Sequence, residues 1–206
     1  MLYAAIHERE ACGSHLVFKI MRRPLPLEEG SPVHLKHAQK GRRLWLGDEI
    51  SRREGEAMLD RVGPQYGIKF SWNGMCSSAM DSLRLVLWAQ TLGKSEEFMA
   101  ALGWRHHGED QQLANHQVLL DAAEEAGLNR HEAQKVLDSQ RFRKELAESS
   151  STWMRKTMTP AGRGVYMSGI PVLIFRSGWM EEKLQGSVPQ SEIEQVLLKL
   201  EAQYNR

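Results

Sequence analysis

Two thiols, a proline at the head of an apolar run and a scatter of histidines are the residues whose chemistry must be weighed first. Cys12 and Cys76 are the only cysteines among 206 residues. They are too far apart for a Cys-x-x-Cys, so no local dithiol redox pair and no thiolate zinc framework can be built from them. Cys12 follows a helical stretch instead of opening one, the wrong end of the helix dipole for a nucleophile. Both are read as free, partly buried thiols, and no catalytic residue is assigned.

The histidines give no stronger signal. His34 and His37 in "HLKH" could share one helix face, and "HHGED" gathers His106, His107, Glu109 and Asp110, yet neither carries a His-Glu-x-x-His context. A solvated loop and helix start account for them, and no metal site is assigned. "GKS", residues 93–95, has Trp88 where a phosphate loop needs its first glycine, so it reads as a helix stop followed by a helix start with Ser95 as cap. "GRGV" continues into Tyr166 and Met167 and fails Gly-x-Gly-x-x-Gly, and no Gly-x-Ser-x-Gly elbow occurs.

What remains is "MSGIPVLIF", residues 167–175. A proline donates no ladder hydrogen bond, so Pro171 must stand at the first position of a strand, at an edge or at a bulge. The Ile170–Pro171 linkage is also the kind of bond for which the cis form costs only about 0.5–1 kcal/mol. Ile170-Pro171 is therefore a natural place for a cis turn beside a buried strand, to be weighed against the rest of the chain.

The charge balance limits the partners. Lys plus Arg is 27 against 26 for Asp plus Glu, which argues against generic nucleic-acid binding, and no run of apolar residues is long enough for a membrane span. "KHAQKGRRLW" with Arg52 and Arg53 is a local basic stretch and reads as a charged surface. The expected setting is cytoplasmic, with no membrane and no nucleic acid as partner.

The elements that must position Pro171 follow from periodicity. "LYAAIHEREA" has the look of a helix end stopped by Gly13, and "LVFKIMRR" reads as a strand to about Arg23 with a proline-rich exit. From Ser31 to about Ser150 apolar positions recur at helical spacing. One helix ends at Gly63-Pro64; "SSAMDSLRLVLWAQTLG" puts Met80, Leu83, Leu87 and Trp88 on one face with Ser77 or Ser78 as cap; three or four more follow, the first capped by Ser95 and the second stopping at Gly127. Trp72, Trp88, Trp104 and Trp153 are expected to cement this block. After residue 160 come a strand "IPVLIF", a hairpin at "SGW", a strand "WMEEKLQG" alternating Trp179, Glu181, Lys183 and Gln185 against Met180, Glu182 and Leu184, and a helix with Ser191 as cap and Ile193, Val196, Leu197 and Leu200 as its stripe.

That order resembles the DsbA-like thioredoxin-fold family, closest to its cytoplasmic oxidoreductases and the 2-hydroxychromene-2-carboxylate isomerase or kappa-class glutathione transferase branch. "FKIMRRPLPLEEG" is similar to the family's second strand and exit, "SSAMDSLRLVLWAQTLG" to the helix with an Ala-His-Arg-Leu core, and "EDQQLANHQVLLDAAEEAGLN" to its Ala-x-x-Ala-Gly-Leu stretch. "SGIPVLIF" is similar to the Gly-Val-Pro-Thr loop, and "LQGSVPQSEIEQVL" to the Gly-Ala-Gln tail. The resemblance implies an α/β fold: a thioredoxin-like sheet, N-terminally incomplete, with a large inserted all-helical domain. Its boundaries are 1–30 and 156–206 for the thioredoxin-like domain and 31–155 for the insertion.

By resemblance Ile170 and Pro171 would be the substrate-binding residues, Pro171 as the cis-proline of a thioredoxin-like site, where backbone edges meet an extended peptide or glutathione. The family's nucleophile sits at a helix start that these residues do not include, so the expectation is a shortened protein, inactive in thiol–disulfide exchange as written. No cofactor is expected to be bound, with glutathione the one the resemblance allows. A thiol, disulfide or glutathione-type molecule is the expected substrate, and unpaired sheet edges make homo-oligomers an expectation.

Overall fold

The computed structural model describes residues 1–26, 35–36, 49–149, 171–186 and 188–204. Eight helices and four strands occur among them: α1 Leu2–Ala11, β1 Leu35–Lys36, α2 Glu49–Val62, β2 Met75–Cys76, α3 Met80–Thr91, α4 Ser95–Gly108, α5 His116–Glu125, α6 Arg130–Leu137, α7 over residues 143–149, β3 Val172–Ser177, β4 Met180–Gln185 and α8 Gln190–Tyr204. A 3-10 turn, Gly63–Tyr66, ends α2 with Pro64 near its start, where a missing N–H costs nothing. The chain divides into two compact units, Met1–Ile20 with Thr152–Arg206, and Met21–Ser151.

The first unit gathers both ends of the chain. Ile193, Val196, Leu197 and Leu200 of α8 pack with Ala5 and Ile6 of α1, and Leu173, Phe175, Met180 and Leu184 of the hairpin close over them. This stripe is the one the i, i+3, i+4, i+7 spacing dictates. Arg9 fastens α1 to α8, donating from Nη2 and Nε to the Glu201 carboxylate at 2.5 and 3.3 Å. Gln190 adds a bond from Nε2 to Glu8 at 2.8 Å.

β3 and β4 form an antiparallel hairpin in the register Val172↔Gln185 to Ser177↔Met180. The two-residue loop Gly178-Trp179 is the length that a tight hairpin demands, so Trp179, expected in the second strand, falls in the turn and is exposed. Burial alternates along β4 as expected, with Met180, Glu182 and Leu184 inward. On β3 every residue from Val172 to Phe175 is half-buried, as an apolar run without alternation must be.

The strand expected at residues 16–23 is not one. Residues 14–26 form no regular secondary structure and residues 14–20 keep the strand's alternation, with Leu16, Phe18 and Ile20 against the core and His15, Val17 and Lys19 exposed, but no ladder pairs them among the described residues. Periodicity specifies which side chains turn inward; a strand also needs a neighbour. At Arg22 a side chain replaces the ladder: its backbone N–H donates to Gln90 Oε1 at 2.5 Å and its guanidinium holds Glu96 through two bonds.

Among the described residues the regular structure of the second unit is helical apart from the two-residue bridge β1–β2, which pairs Leu35 with Cys76 and was not foreseen. Its core is Leu85, Val86, Trp88 and Ala89 of α3, Phe98, Ala101 and Leu102 of α4, Val118 to Leu120, Ala122 and Ala123 of α5, and Ala133, Val136 and Leu137 of α6. α3 is the central helix, buried nearly all round from Ser82 to Ala89, so Met80 and Leu83 end half-buried while Leu87 and Trp88 are enclosed.

Helix ends are set by local chemistry. α3 stops in a Schellman pattern, Lys94 N–H to Ala89 O at 2.9 Å and Gly93 N–H to Gln90 O at 3.2 Å, with Gly93 at φ +69° where a Cβ would be strained. Asn115 and Asn129 cap α5 and α6 through their side-chain oxygens. Three expected caps shift: Lys94, not Ser95, caps α4, Ala79, not Ser77 or Ser78, caps α3, and α8 begins at Gln190, ahead of Ser191.

Candidate functional site

Pro171 stands one residue before β3 and is exposed. Its position at the mouth of the strand is the one its missing N–H dictates. Its carbonyl accepts the Gly186 N–H at 2.8 Å, extending the hairpin one bond past the Val172↔Gln185 pair. Behind it Leu173 and Phe175 are seated in the core of the first unit, so the turn rests on an anchored strand. On the hairpin's exposed side Arg176 donates from Nε to Glu181 at 2.7 Å, a cross-strand pair. Ile170, the other expected binding residue, lies outside the described residues, and so does the Ile170–Pro171 linkage.

No nucleophile is assembled with Pro171 among the described residues. Cys12 is free and exposed at the C-terminal cap of α1, so the expectation that it is partly buried is corrected: the helix has ended, and its neighbours Ala11 and Gly13 are exposed with it. Among the described residues no three His, Cys, Asp or Glu side chains come together as a metal site. His34 and His37 lie outside them. His107 meets the Phe70 ring edge-on at 5.9 Å and His106 at 4.8 Å, and Phe70 stacks on Trp72 at 5.6 Å, which makes the "HH" of "HHGED" part of an aromatic cluster.

Two arrangements in the helical unit escaped the sequence reading. The Arg84 guanidinium is only 1% exposed. It donates to the carbonyls of Arg141 at 2.9 Å and of Val136 and Ser139 at 2.5 Å each, and to Asp81 Oδ1 at 2.6 Å. Asp81 in turn receives His116 Nε2 on its second oxygen at 3.2 Å. Burial alone would push the Asp81 carboxyl up, but the hydrogen bonds from Arg84 and His116 outweigh it and hold it below the ordinary carboxylate range. A buried arginine in a leucine-rich helix was the available signal, since such a charge must find partners.

The second arrangement centres on Asp110, which sits in the left-handed region at φ +58°. Its Oδ1 accepts the Gly74 N–H at 2.7 Å and its Oδ2 the Ser71 hydroxyl, pinning the turn before β2 to the end of α4. A Cβ on Gly74 would lie 2.6 Å from Asp110 Oδ1, so only glycine fits there. Trp72 Nε1 donates to Asp60 at 3.0 Å and Trp104 Nε1 to Glu109 at 3.1 Å. Of the four tryptophans expected to cement the block, Trp88 is enclosed, Trp104 is exposed, Trp72 is half-buried and Trp153 lies outside the described residues.

Comparison with known proteins decides the family. The model of the DSBA-like thioredoxin domain matches residues 9–197. The chain belongs to the DSBA-like thioredoxin domain family. A solved structure similar to this DSBA-like chain is a probable DsbA oxidoreductase from Streptomyces coelicolor, with a TM-score of 0.62 at 15% identity over 81% of this chain and 67% of that one. At that identity the likeness concerns the fold: thioredoxin-like, mostly helical, with a small sheet. No curated protein matches the DSBA-like chain. No described helix is long and apolar enough to cross a membrane.

Proposed function

We propose that this DSBA-like chain is a cytoplasmic member of the thiol–disulfide oxidoreductase family that, with these 206 residues, presents the substrate-docking turn without the dithiol. In thiol–disulfide exchange a thiolate attacks one sulfur of a disulfide, forms a mixed disulfide and expels the other sulfur as a thiolate; a second nearby thiol then resolves it. Cys12 and Cys76 supply no such neighbouring pair in sequence. The observation that carries the reading is Pro171, exposed at the head of an anchored β3 within a family match that spans it. An Ile170–Pro171 bond in the cis form is part of this proposal.

The test is an insulin-reduction assay with dithiothreitol as electron donor. The expected result is no acceleration over the donor alone, together with retention of an unfolded, disulfide-containing peptide that Pro171→Ala weakens. Catalysed reduction by these 206 residues would overturn the inactivity, and peptide retention indifferent to Pro171→Ala would overturn the docking turn.

A second reading is favoured by the same exposed proline beside the absence of a Cys-x-x-Cys in the sequence: a glutathione-dependent isomerase or transferase, in which the ligand brings the thiol. Calorimetric titration with glutathione separates it from the first. A third, a non-catalytic interaction module, is favoured by residues 15–20, whose backbone enters no ladder among the described residues and whose Val17 is 98% exposed. It requires self-association or capture of an extended chain, and a monodisperse monomer with no peptide affinity sinks it.

A further inference from the structure

We draw no further inference here: the strongest candidate, the backbone of residues 15–20 on the α1–α8 core of the first unit, which enters no ladder among the described residues, belongs to the interaction reading already given, and nothing in the structure shows what covers it.

Discussion

Arg84 Nη1 lies 2.6 Å from Asp81 Oδ1, one turn away on the same helix, while the rest of the same guanidinium is spent on three carbonyls of the 136–141 segment. The pair therefore joins α3 to the end of α6 and to the turn before α7, and Asp81 passes the connection on to His116 at the start of α5. One buried cation organises four segments of the helical unit.

Replacing it should be costly. Arg84→Met keeps apolar volume but strands three carbonyls and the Asp81 carboxylate, so a loss of about 3–5 kcal/mol is expected. Urea denaturation followed by far-UV circular dichroism reads it. A loss under about 1 kcal/mol would mean that water replaces the guanidinium without penalty.

The acid limb of stability should carry the mark of Asp81 and Glu201. Both carboxyls are held below their ordinary values: Asp81 by Arg84 and His116 in spite of its burial, Glu201 chiefly by the hydrogen bond from Arg9. A carboxyl depressed in the folded state contributes stability that is full above its unfolded value and is lost as pH falls through the folded one. Stability should thus begin to fall below about pH 5 and keep falling below about pH 4. Asp81→Asn and Glu201→Gln should each flatten that limb, and an unchanged slope in thermal melts between pH 6 and pH 3 would contradict the assignment.

Gly74→Ala should destabilise by about 1–3 kcal/mol, because its new methyl meets a carboxylate that is already engaged. Adding Asp110→Gly removes the closest contact and suits the left-handed backbone at that position, so the double variant should lose less than the two single effects combined. Strict additivity in the cycle would place the two residues' effects elsewhere.

In the other unit, Leu197→Ala should cost about 2–5 kcal/mol and its neighbour Leu198→Ala under about 0.5 kcal/mol, since the first is enclosed between α8 and α1 and the second is about half exposed. Equal losses in chemical denaturation would show that α8 presents a different face to its unit.

Helices and hairpin were legible in the sequence because their signals are local. The α8 stripe of Ile193, Val196, Leu197 and Leu200, the stop at Gly127 and the two-residue hairpin loop each depend on residues within a few positions of one another. The segment at residues 16–23 misled for the complementary reason: its alternation is local, but strand identity depends on a pairing partner that sequence spacing does not supply. Arg84 and Asp110 were missed because partners that define their roles, the Val136 carbonyl and the Gly74 N–H, lie 52 and 36 positions away, and only the fold brings them together. At the candidate site, Pro171 was legible through its own chemistry, the missing donor that confines it to a strand's first position.

The bond from Arg9 to Glu201 spans 192 positions of chain. Its unit is built from two stretches far apart in sequence, whereas the helical unit is contiguous. Synthesis at about 5–20 residues per second separates the appearance of these two side chains by on the order of ten to forty seconds. During that interval the helical unit can emerge from the ribosome and fold, while α1, with Leu2, Ala5 and Ile6 already made, has no α8 to cover them. Until α8 is made, α1 is thus an apolar segment in waiting, the kind that holdase chaperones bind, and its release is timed by the synthesis of α8.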